Sequence, residues 1–459
     1  MKKGPKVVVI GAGSYFFGKP VIYNMVHSPV LQSGTLALVD INPAVLDTMM
    51  KLAKRAKEHT GASLEVIGST NRREVMKNAD FVVLSFSFRN AYYRETDTRI
   101  SKKYGVTMCS SDTIGPGGIF RTLRELPEIL KIAQDVRTLA PNAWLINFVN
   151  PTATLGIGLM RHAPEVKSFA LCDGNHMPYV RSMFLNLIGE IKDPAMPLEP
   201  ETDAKLDLHI AGVNHCTWVM KCDFDGKDRL PDLRKSLVRA AKAEYETKPH
   251  PKAKPRLNAN YALQLMDLYG AYPTAPSHTK EYVPFFQDYG VTPVTPEPII
   301  CFDGYNRAEE MAAKWRETEK IASGEIPIED FLNHGHGDHA TDIIESMWGG
   351  LGKRFYINSA NRGAVPNLPS DAFLELCCDL DMDGPKPLPV IPMPRGLLGL
   401  TCQVLDTHEL TVEAAVTCDR KILLRAMATD PIINNLGDAK NIMNELLEAE
   451  RDHLPEAWF

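Results

Sequence analysis

Residues 6 to 13 read KVVVIGAG, a run of β-branched apolar residues that ends in two glycines. The next stretch, SYFFGKPVIYNMV (residues 14 to 26), has apolar residues at helical spacing. A strand, a glycine-rich turn and a helix in this order are typical of a βαβ unit whose backbone N–H groups bind a pyrophosphate. The third glycine position of that motif holds Phe16, with Gly18 two residues later, so close helix packing must be achieved differently. The predicted nucleotide contacts in this turn are Gly11, Gly13 and Ser14.

A second apolar run, TLALVDIN, places Asp40 27 residues after Gly13. A carboxylate at this position would bind both ribose hydroxyls of NAD and disfavour the 2′-phosphate of NADP. Ser85, at the end of the run DFVVLSFS, is the remaining predicted cofactor contact. The pattern therefore predicts an NAD site.

Further strand patterns follow, alternating with helical ones: LEVIGS (64–69), DFVVLSFS (80–87), AWLINFVNP (143–151) and SFALCD (168–173). This alternation predicts an α/β fold with a Rossmann-type, doubly wound parallel sheet. Because 459 residues exceed the usual size of one core, we expect two domains. The first, residues 1–195, would bind NAD; the second, residues 196–459, is expected to be mixed α/β (α+β) and to carry substrate, metal and oligomer contacts.

Composition excludes several classes of protein. The net charge is −6 and the basic residues are scattered, so no nucleic-acid-binding face is expected. No apolar run approaches the roughly 18 residues of a membrane span, and the first residues lack a signal-peptide pattern. The nine cysteines have no regular spacing and are expected to be reduced thiols, as in the cytoplasm.

Two further strand-like runs suggest a metal site. FALCDGNH (169–176) ends its apolar part in Cys172, followed at once by Asp173, and IAGVNHCTW (210–218) contains His215. Ligands of such sheets lie at the carboxyl ends of strands, so Asn150, Cys172 and Asp173 are expected near the nicotinamide. A thiolate and an imidazole suffice for an open catalytic metal completed by substrate oxygens and water. Two unrelated core residues are the alternative.

Two loops have an alternative interpretation each. SSDTIGPGGIFRTLRELP (110–127) brings Asp112 before three glycines that permit close approach to a ligand, unless it is a plain turn with a helix cap. HGHGDHATD (334–342) matches the HxHxDH ligand pattern of dinuclear zinc hydrolases. Because the preceding segment is acidic and few ligands follow, we expect a polar loop before a helix instead.

Seven short motifs, taken in order, resemble glycoside hydrolase family 4: GAGS, LVDIN, SDTIGPGG, NFVNP, LCDG, GVNH and NLPSDAF. The resemblance covers almost the whole chain. It implies an NAD- and metal-dependent glycosidase, usually with Mn²⁺, that acts on a small-molecule glycoside as a homodimer or homotetramer. The segments GVNHCTW, DLYGAYPTAPSHTKEYVP and NLPSDAF are most similar to the branch that acts on unphosphorylated α-glycosides, including α-galacturonidases, α-glucuronidases, α-glucosidases and α-galactosidases.

The resemblance also implies a mechanism that departs from two-carboxylate glycosidases. NAD⁺ removes a hydride from sugar C3, which makes the C2 proton acidic. A base removes that proton, the glycosidic oxygen leaves with help from an acid, water adds, and the hydride returns. A divalent metal held by Cys172 and His215 would stabilise the developing charge at the C2 and C3 oxygens. The net reaction is hydrolysis without net redox change.

The family's residue roles transfer to this chain by motif position. Asp173 follows the ligand cysteine, where α-specific phosphoglycosidases of the family place their general acid and many unphosphorylated-substrate members place His. Tyr269 matches the tyrosine base, with Asp267 as its rival.

The remaining transferred roles are contacts with the substrate. Asn150 matches an asparagine that contacts sugar hydroxyls, and Asp112 is expected to face the same site. His278 and Glu281 lie in a segment shorter than that of the related branch and are further candidates for substrate contacts, with His278 the one predicted.

Two other functions remain open at the level of sequence. An NAD-dependent sugar or hydroxy-acid dehydrogenase would accumulate NADH, whereas a glycosidase recycles its cofactor. A catalytically silent NAD-binding regulator would bind the cofactor and turn over no glycoside.

Overall fold

The structure of the chain, a computed structural model, describes residues 3–14, 17–172, 174–177, 179–194, 198–246, 257–287, 302 and 304–459. Within these ranges, thirteen strands form one sheet. Eleven of them follow the order β10-β8-β7-β12-β11-β6-β5-β4-β1-β2-β3, while β13 pairs with β12 and β9 pairs with β8. The strands are β1 Lys6–Ile10, β2 Thr35–Val39, β3 Glu65–Ser69, β4 Phe81–Leu84, β5 Trp144–Asn147, β6 Ser168–Ala170, β7 Leu206–Val213, β8 Cys216–Phe224, β9 Lys227–Asp228, β10 Tyr272–Pro273, β11 Arg354–Ala360, β12 Phe373–Asp381 and β13 Gly384–Pro387.

Helices alternate with the strands in the first half of the chain, as the alternation of patterns predicts. They are α1 Gly18–His27, α2 Pro43–Thr60, α3 Arg72–Met76, α4 Asn90–Lys102, α5 Gly115–Leu139, α6 Thr152–His162, α7 Tyr179–Leu187, α8 Pro200–Asp203, α9 Leu230–Glu246, α10 Asn258–Tyr269, α11 Pro276–Thr279, α12 Gly304–Ser323, α13 Ile328–His334, α14 His339–Gly349, α15 Arg395–Thr417, α16 Arg420–Thr429 and α17 Leu436–Ala449.

The first six strands form the predicted Rossmann-type half of the sheet. They lie in the order β3-β2-β1-β4-β5-β6, and every neighbouring pair among them is parallel. The central strands β1, β2, β4 and β5 are buried almost throughout, which explains their unbroken apolar runs. The fold class predicted from the sequence is therefore confirmed.

The second half of the chain continues the same sheet in antiparallel order. Strand β11 pairs with β6, β12 with β11, and β7 with β12. Strands β7 and β8 form a hairpin in which Val213 faces Cys216, so Asn214 and His215 are the turn rather than part of a strand. Residues 195–197, at the predicted domain boundary, lie outside the described part of the chain.

Gly18 provides the close helix packing that the interrupted glycine motif left open. It is the first residue of α1, and a Cβ atom at this position would lie 2.3 Å from the carbonyl oxygen of Ala12. Because real Cβ atoms do not approach an oxygen so closely, only glycine fits here. Phe16, at the usual third glycine position, lies outside the described residues.

Candidate active site

One cavity of about 1000 Å³ joins the glycine-rich turn to the two candidate metal ligands. Most of the predicted site residues line it. These are Gly11, Gly13, Ser14, Asp40, Ser85, Asp112, Asn150, Cys172, His215 and His278. The topology explains this, because β1, β4, β5 and β6 are parallel neighbours and their carboxyl ends open on the same edge of the sheet.

The nucleotide end of the cavity is built from backbone and one carboxylate. Gly11 has a φ of 89°, and a Cβ atom there would lie 2.4 Å from the Ser85 carbonyl oxygen. The Asp40 carboxylate accepts hydrogen bonds from the N–H groups of Gly13 and Asn42, both at 3.0 Å. These bonds hold the carboxylate at the end of β2, where the ribose of a dinucleotide would lie.

Cys172 and His215 meet at the other end of the cavity. The Sγ atom of Cys172 lies 3.0 Å from Nε2 of His215, although 43 positions separate the two residues in the chain. Cys172 follows β6, and His215 lies in the β7–β8 turn with a φ of 64°. A positive φ in a non-glycine residue is uncommon and often marks a functional position.

The hairpin turn that carries His215 is held by neighbouring side chains. Tyr282 donates its hydroxyl to the Asn214 carbonyl oxygen at 2.8 Å, and Thr279 donates to the His215 carbonyl oxygen at 3.1 Å. Gly212 lies so close to Cys216 that a Cβ atom would approach the Cys216 oxygen to 2.3 Å. The position of the imidazole is therefore determined by the surrounding fold rather than by the turn alone.

The donor set fits a divalent metal with open coordination positions. Burial lowers the pKa of His215, although the Asp112, Glu375 and Glu281 carboxylates oppose that shift. A neutral imidazole is the form that binds metals. One soft thiolate and one imidazole leave room for substrate oxygens and water, as in catalytic rather than structural sites.

Asp112 is the charged centre of the cavity wall. Its Oδ2 atom lies 3.3 Å from Nη1 of Arg121 and 3.5 Å from Nη2 of Arg94, and Asn150 donates to it at 3.4 Å. Burial by itself would raise the pKa of Asp112, but the two guanidinium groups outweigh it and hold that pKa well below its ordinary value. Asp112 is thus an anion that can accept hydrogen bonds from hydroxyl groups.

His278 stacks on His215, the candidate metal ligand. The two ring centroids lie 4.2 Å apart with an interplanar angle of 12°. Burial lowers the pKa of His278 to about 4, and the neighbouring His215 contributes a smaller part of this shift. The ring is therefore neutral at pH 7. Its Nδ1 atom is buried and has no protein partner, which leaves it available to a ligand in the cavity.

Two predicted residues are not brought together with the others. Tyr269 is not among the described residues that line the cavity; its ring packs edge-on against Trp218 at 5.2 Å, and burial raises its pKa. It is the last residue of α10, and the chain turns at Gly270, whose φ is 69°. Its rival Asp267 forms an ion pair with Arg234 on the surface. The tyrosine base therefore stays a prediction from resemblance alone.

Asp173, the predicted acid, lies outside the described residues. Its neighbours Cys172 and Gly174 both line the cavity.

The HxHxDH segment does not form the dinuclear site considered as an alternative. His334 ends α13, both His334 and His336 are exposed, and the buried Asp338 caps α14. Among the described residues, no group of three or more His, Cys, Asp or Glu side chains could hold a metal ion. His339 is buried, and its Nδ1 atom lies 3.3 Å from the carbonyl oxygen of Cys172, so this segment contributes to the site indirectly.

Sequence patterns missed Arg94 and Arg121, and they named Glu281 only as a candidate substrate contact. Arg94 and Arg121 orient Asp112, and Glu281 accepts from the backbone N–H groups of Ser110 and Ser111 at 3.0 Å. Arg94 and Arg121 belong to helical patterns that look like ordinary charged surface, and nothing in their spacing distinguishes them from solvent-exposed arginines.

Known proteins resemble this chain over its full length. An alpha-galactosidase of Bacillus subtilis is 30% identical over 98% of this chain and 99% of its own. A probable 6-phospho-beta-glucosidase of the same organism is also 30% identical, over 99% of this chain and 98% of its own. The crystal structure of a 6-phospho-alpha-glucosidase from gut microorganisms, in complex with NAD and Mn²⁺, has the same fold, with a TM-score of 0.74 at 21% identity over 99% of this chain and 100% of that chain.

Two family models match most of the sequence. The one described as family 4 glycosyl hydrolase matches residues 6–190, and the one described as family 4 glycosyl hydrolase C-terminal domain matches residues 210–433. These matches agree with the order of the seven motifs along the chain and with the full-length similarity to the alpha-galactosidase. The chain is therefore an enzyme of family 4 of the glycosyl hydrolases.

Proposed function

We propose that this enzyme hydrolyses an unphosphorylated α-glycoside, either a neutral hexoside or a uronide, by transient oxidation at sugar C3. The observation that carries the proposal is the single cavity that connects the glycine-rich turn and Asp40 with the Cys172–His215 pair. A sugar bound at that pair would lie beside the nicotinamide of a dinucleotide bound at the turn. An ordinary two-carboxylate glycosidase has no use for such a connection.

The nucleotide end supports NAD as the cofactor. The pyrophosphate would bind the N–H groups of the turn at Gly11 and Gly13, and Asp40 would accept from the ribose hydroxyls. The Oγ atom of Ser85 is buried without a protein partner at the cavity wall. Held there by Gly11, Gly13 and Asp40, NAD⁺ would supply a reversible hydride acceptor for sugar C3.

The Cys172 thiolate and the His215 imidazole would hold a divalent cation, which we propose to be Mn²⁺, the cation found with a structurally similar glycosidase. Such a cation would supply Lewis acidity to a sugar bound beside the pair. The hairpin contacts of Thr279 and Tyr282 keep the imidazole in place without the metal. This rigidity lowers the reorganisation needed for binding.

The cavity wall supplies groups that position the sugar. Asp112 stays ionised beside Arg94 and Arg121 and accepts from one hydroxyl, while Asn150 is oriented by the Thr152 hydroxyl, which donates to its Oδ1 atom at 2.7 Å. His278, neutral and stacked on His215, offers an additional nitrogen. Asp173 is proposed as the general acid from its motif position beside Cys172.

Four arginines at the cavity wall support a substrate without phosphate. Arg94 and Arg121 are engaged by Asp112, and Arg72 lies 2.5 Å from Glu128 and 2.7 Å from Asp135. Arg307 at the same wall lies 3.2 Å from Glu310. A phosphate clamp usually needs guanidinium groups directed at the ligand. Similarity to the alpha-galactosidase agrees with this substrate class, and similarity to the 6-phospho-beta-glucosidase favours the other.

A panel of nitrophenyl glycosides decides the reaction and the substrate. With NAD⁺ and Mn²⁺ present, we expect release of nitrophenol from an α-galactoside, α-glucoside or α-galacturonide, no lasting NADH absorbance, and deuterium at C2 of the product in D₂O. Stoichiometric NADH would instead identify a dehydrogenase. Turnover of 6-phosphoglycosides alone would overturn the substrate class, and cofactor binding without any turnover would identify a regulator.

We also propose the two-domain division at residue 195, a cytoplasmic location and a homodimer or homotetramer. The eight cysteines in the described ranges form no disulfide bond with one another, as expected in a reducing compartment. Within the same ranges, no helix combines the length and apolar character that crossing a membrane requires. Light scattering after size exclusion would measure the oligomeric state.

A further inference from the structure

A buried carboxylate lies between the two segments that carry the candidate metal ligands. Glu375 of β12 is in register with Gly212 of β7 on one side and with Asn358 of β11 on the other. Asn358 in turn is in register with Ala170, two residues before Cys172. Since directly paired residues face the same side of a sheet, Glu375 occupies the row that joins the Cys172 strand to the His215 hairpin.

Both oxygens of this carboxylate accept hydrogen bonds, one from each ligand segment. Nδ2 of Asn175, three residues after Cys172, lies 2.7 Å from Oε1 of Glu375. Nδ2 of Asn214, adjacent to His215, lies 3.2 Å from Oε2. Asn175 also donates to the hydroxyl of Thr217 on β8 at 3.1 Å, which ties the first segment directly to the hairpin.

We propose that Glu375 is a positioning residue that sets the distance between Cys172 and His215 by binding Asn175 and Asn214 at once. Glu375, Asn175 and Asn214 are each at most 2% exposed, so water cannot replace the bonds at low cost. Residues that hold metal ligands in this way typically change metal affinity by roughly 10- to 100-fold. The inference rests on the metal site of the proposed function.

The test measures binding of Mn²⁺ alone to the NAD⁺-loaded enzyme, by electron paramagnetic resonance of the free cation. Glu375→Leu removes both acceptor oxygens, and we expect Mn²⁺ affinity to fall by about 10- to 100-fold. Glu375→Gln, which keeps one carbonyl acceptor, should lie between Glu375→Leu and the parent. The matched control is Glu450→Leu, which removes another buried carboxylate, bound to Arg124 at 2.7 Å and outside the cavity lining, and should leave Mn²⁺ affinity unchanged.

If Glu375→Leu does not fold, two less disruptive substitutions test the positioning role of Glu375. Asn175→Ala and Asn214→Ala each remove one arm of the network and should each weaken Mn²⁺ binding. Affinity equal to that of the parent in the folded variants would overturn the positioning role. If Cys172→Ser binds Mn²⁺ as tightly as the parent, the metal site itself is refuted, which is distinguishable from failure of Glu375 alone.

Discussion

Cys172 and His215 are in contact, with Sγ and Nε2 3.0 Å apart, although they come from a parallel strand and from an antiparallel hairpin. The contact exists because β11 and β12 bridge the two halves of the sheet and because the segment after β6 reaches the hairpin through Asn175 and Thr217. The pairing of β6, β11, β12 and β7, together with this hydrogen bond, brings both side chains to the end of the cofactor cavity.

The metal pair is tested by removing one ligand. We expect Cys172→Ser to reduce kcat/KM by at least about 10²-fold, because loss of a Lewis acid at the reacting oxygens removes several kcal/mol of transition-state stabilisation. NAD⁺ binding, followed by fluorescence, should be unchanged. Exhaustive chelation of the parent should have the same effect and be reversed by Mn²⁺; full activity after chelation would exclude a metal role.

Asp40 is expected to select NAD. Asp40→Asn weakens the hydrogen bonds to the ribose hydroxyls and to Gly13, and bonds to a charged group are worth about 1.5–3 kcal/mol. We therefore expect the Kd for NAD⁺ to rise by roughly 10- to 100-fold and discrimination against NADP⁺ to fall. Asp47→Asn, on the exposed face of α2, is the control. An unchanged Kd would place the ribose elsewhere.

Asp112→Asn should raise KM for the substrate and lower Tm. The substitution leaves Arg94 and Arg121 without their shared anion, and breaking a buried pair costs about 3–5 kcal/mol. Asp97→Asn breaks the buried pair with Arg124, whose atoms lie 2.9 Å apart, and serves as the stability control. We expect both variants to lower Tm and only Asp112→Asn to raise KM. If Asp112→Asn has the same KM as the parent enzyme, Asp112 has a structural role only.

Tyr269→Phe tests the base transferred from the family. Because the ring of Tyr269 packs on Trp218 outside the described cavity lining, we expect a loss of activity far below the roughly 10²-fold typical of removing a general base. The rate of deuterium exchange at C2 is the direct measurement. A large loss of exchange with normal substrate binding would restore Tyr269 as the base.

His408 makes stability depend on pH. Burial on α15 lowers its pKa from 6.5 to about 4, so between these values the unfolded chain binds a proton that the folded chain does not. The stabilisation is present above about pH 6.5 and is lost as pH falls to about 4, with a magnitude on the order of 3 kcal/mol. His408→Leu should therefore lose less Tm than the parent between pH 7 and pH 4.5. The control is His162→Leu at an exposed position, which should lose as much Tm as the parent between these two pH values. If His408→Leu also loses as much Tm as the parent, the lowered pKa of His408 is refuted.

The amino-acid sequence by itself determined the parallel half of the sheet and the nucleotide turn. Strands β1, β2, β4 and β5 are apolar runs because both faces of the parallel sheet are buried there, and such runs are visible in the residues alone. The candidate ligands Cys172 and His215 were predicted from strand-like runs. Cys172 ends one run and His215 lies within another, whose hairpin turn was interpreted as strand. Asp40, Asp112 and Asn150 were found because polar residues follow apolar strands or precede glycines.

Only the tertiary structure decided which distant groups meet. Glu375, Arg94 and Arg121 act through partners on other elements, and no local spacing encodes a contact across β11 and β12 or between α4 and the loop before α5. It likewise placed Tyr269 against Trp218, because the direction of a side chain at a helix end depends on what the helix packs against. Local patterns report burial and turn chemistry, whereas the convergence of a site depends on strand order and register, which are properties of the whole sheet.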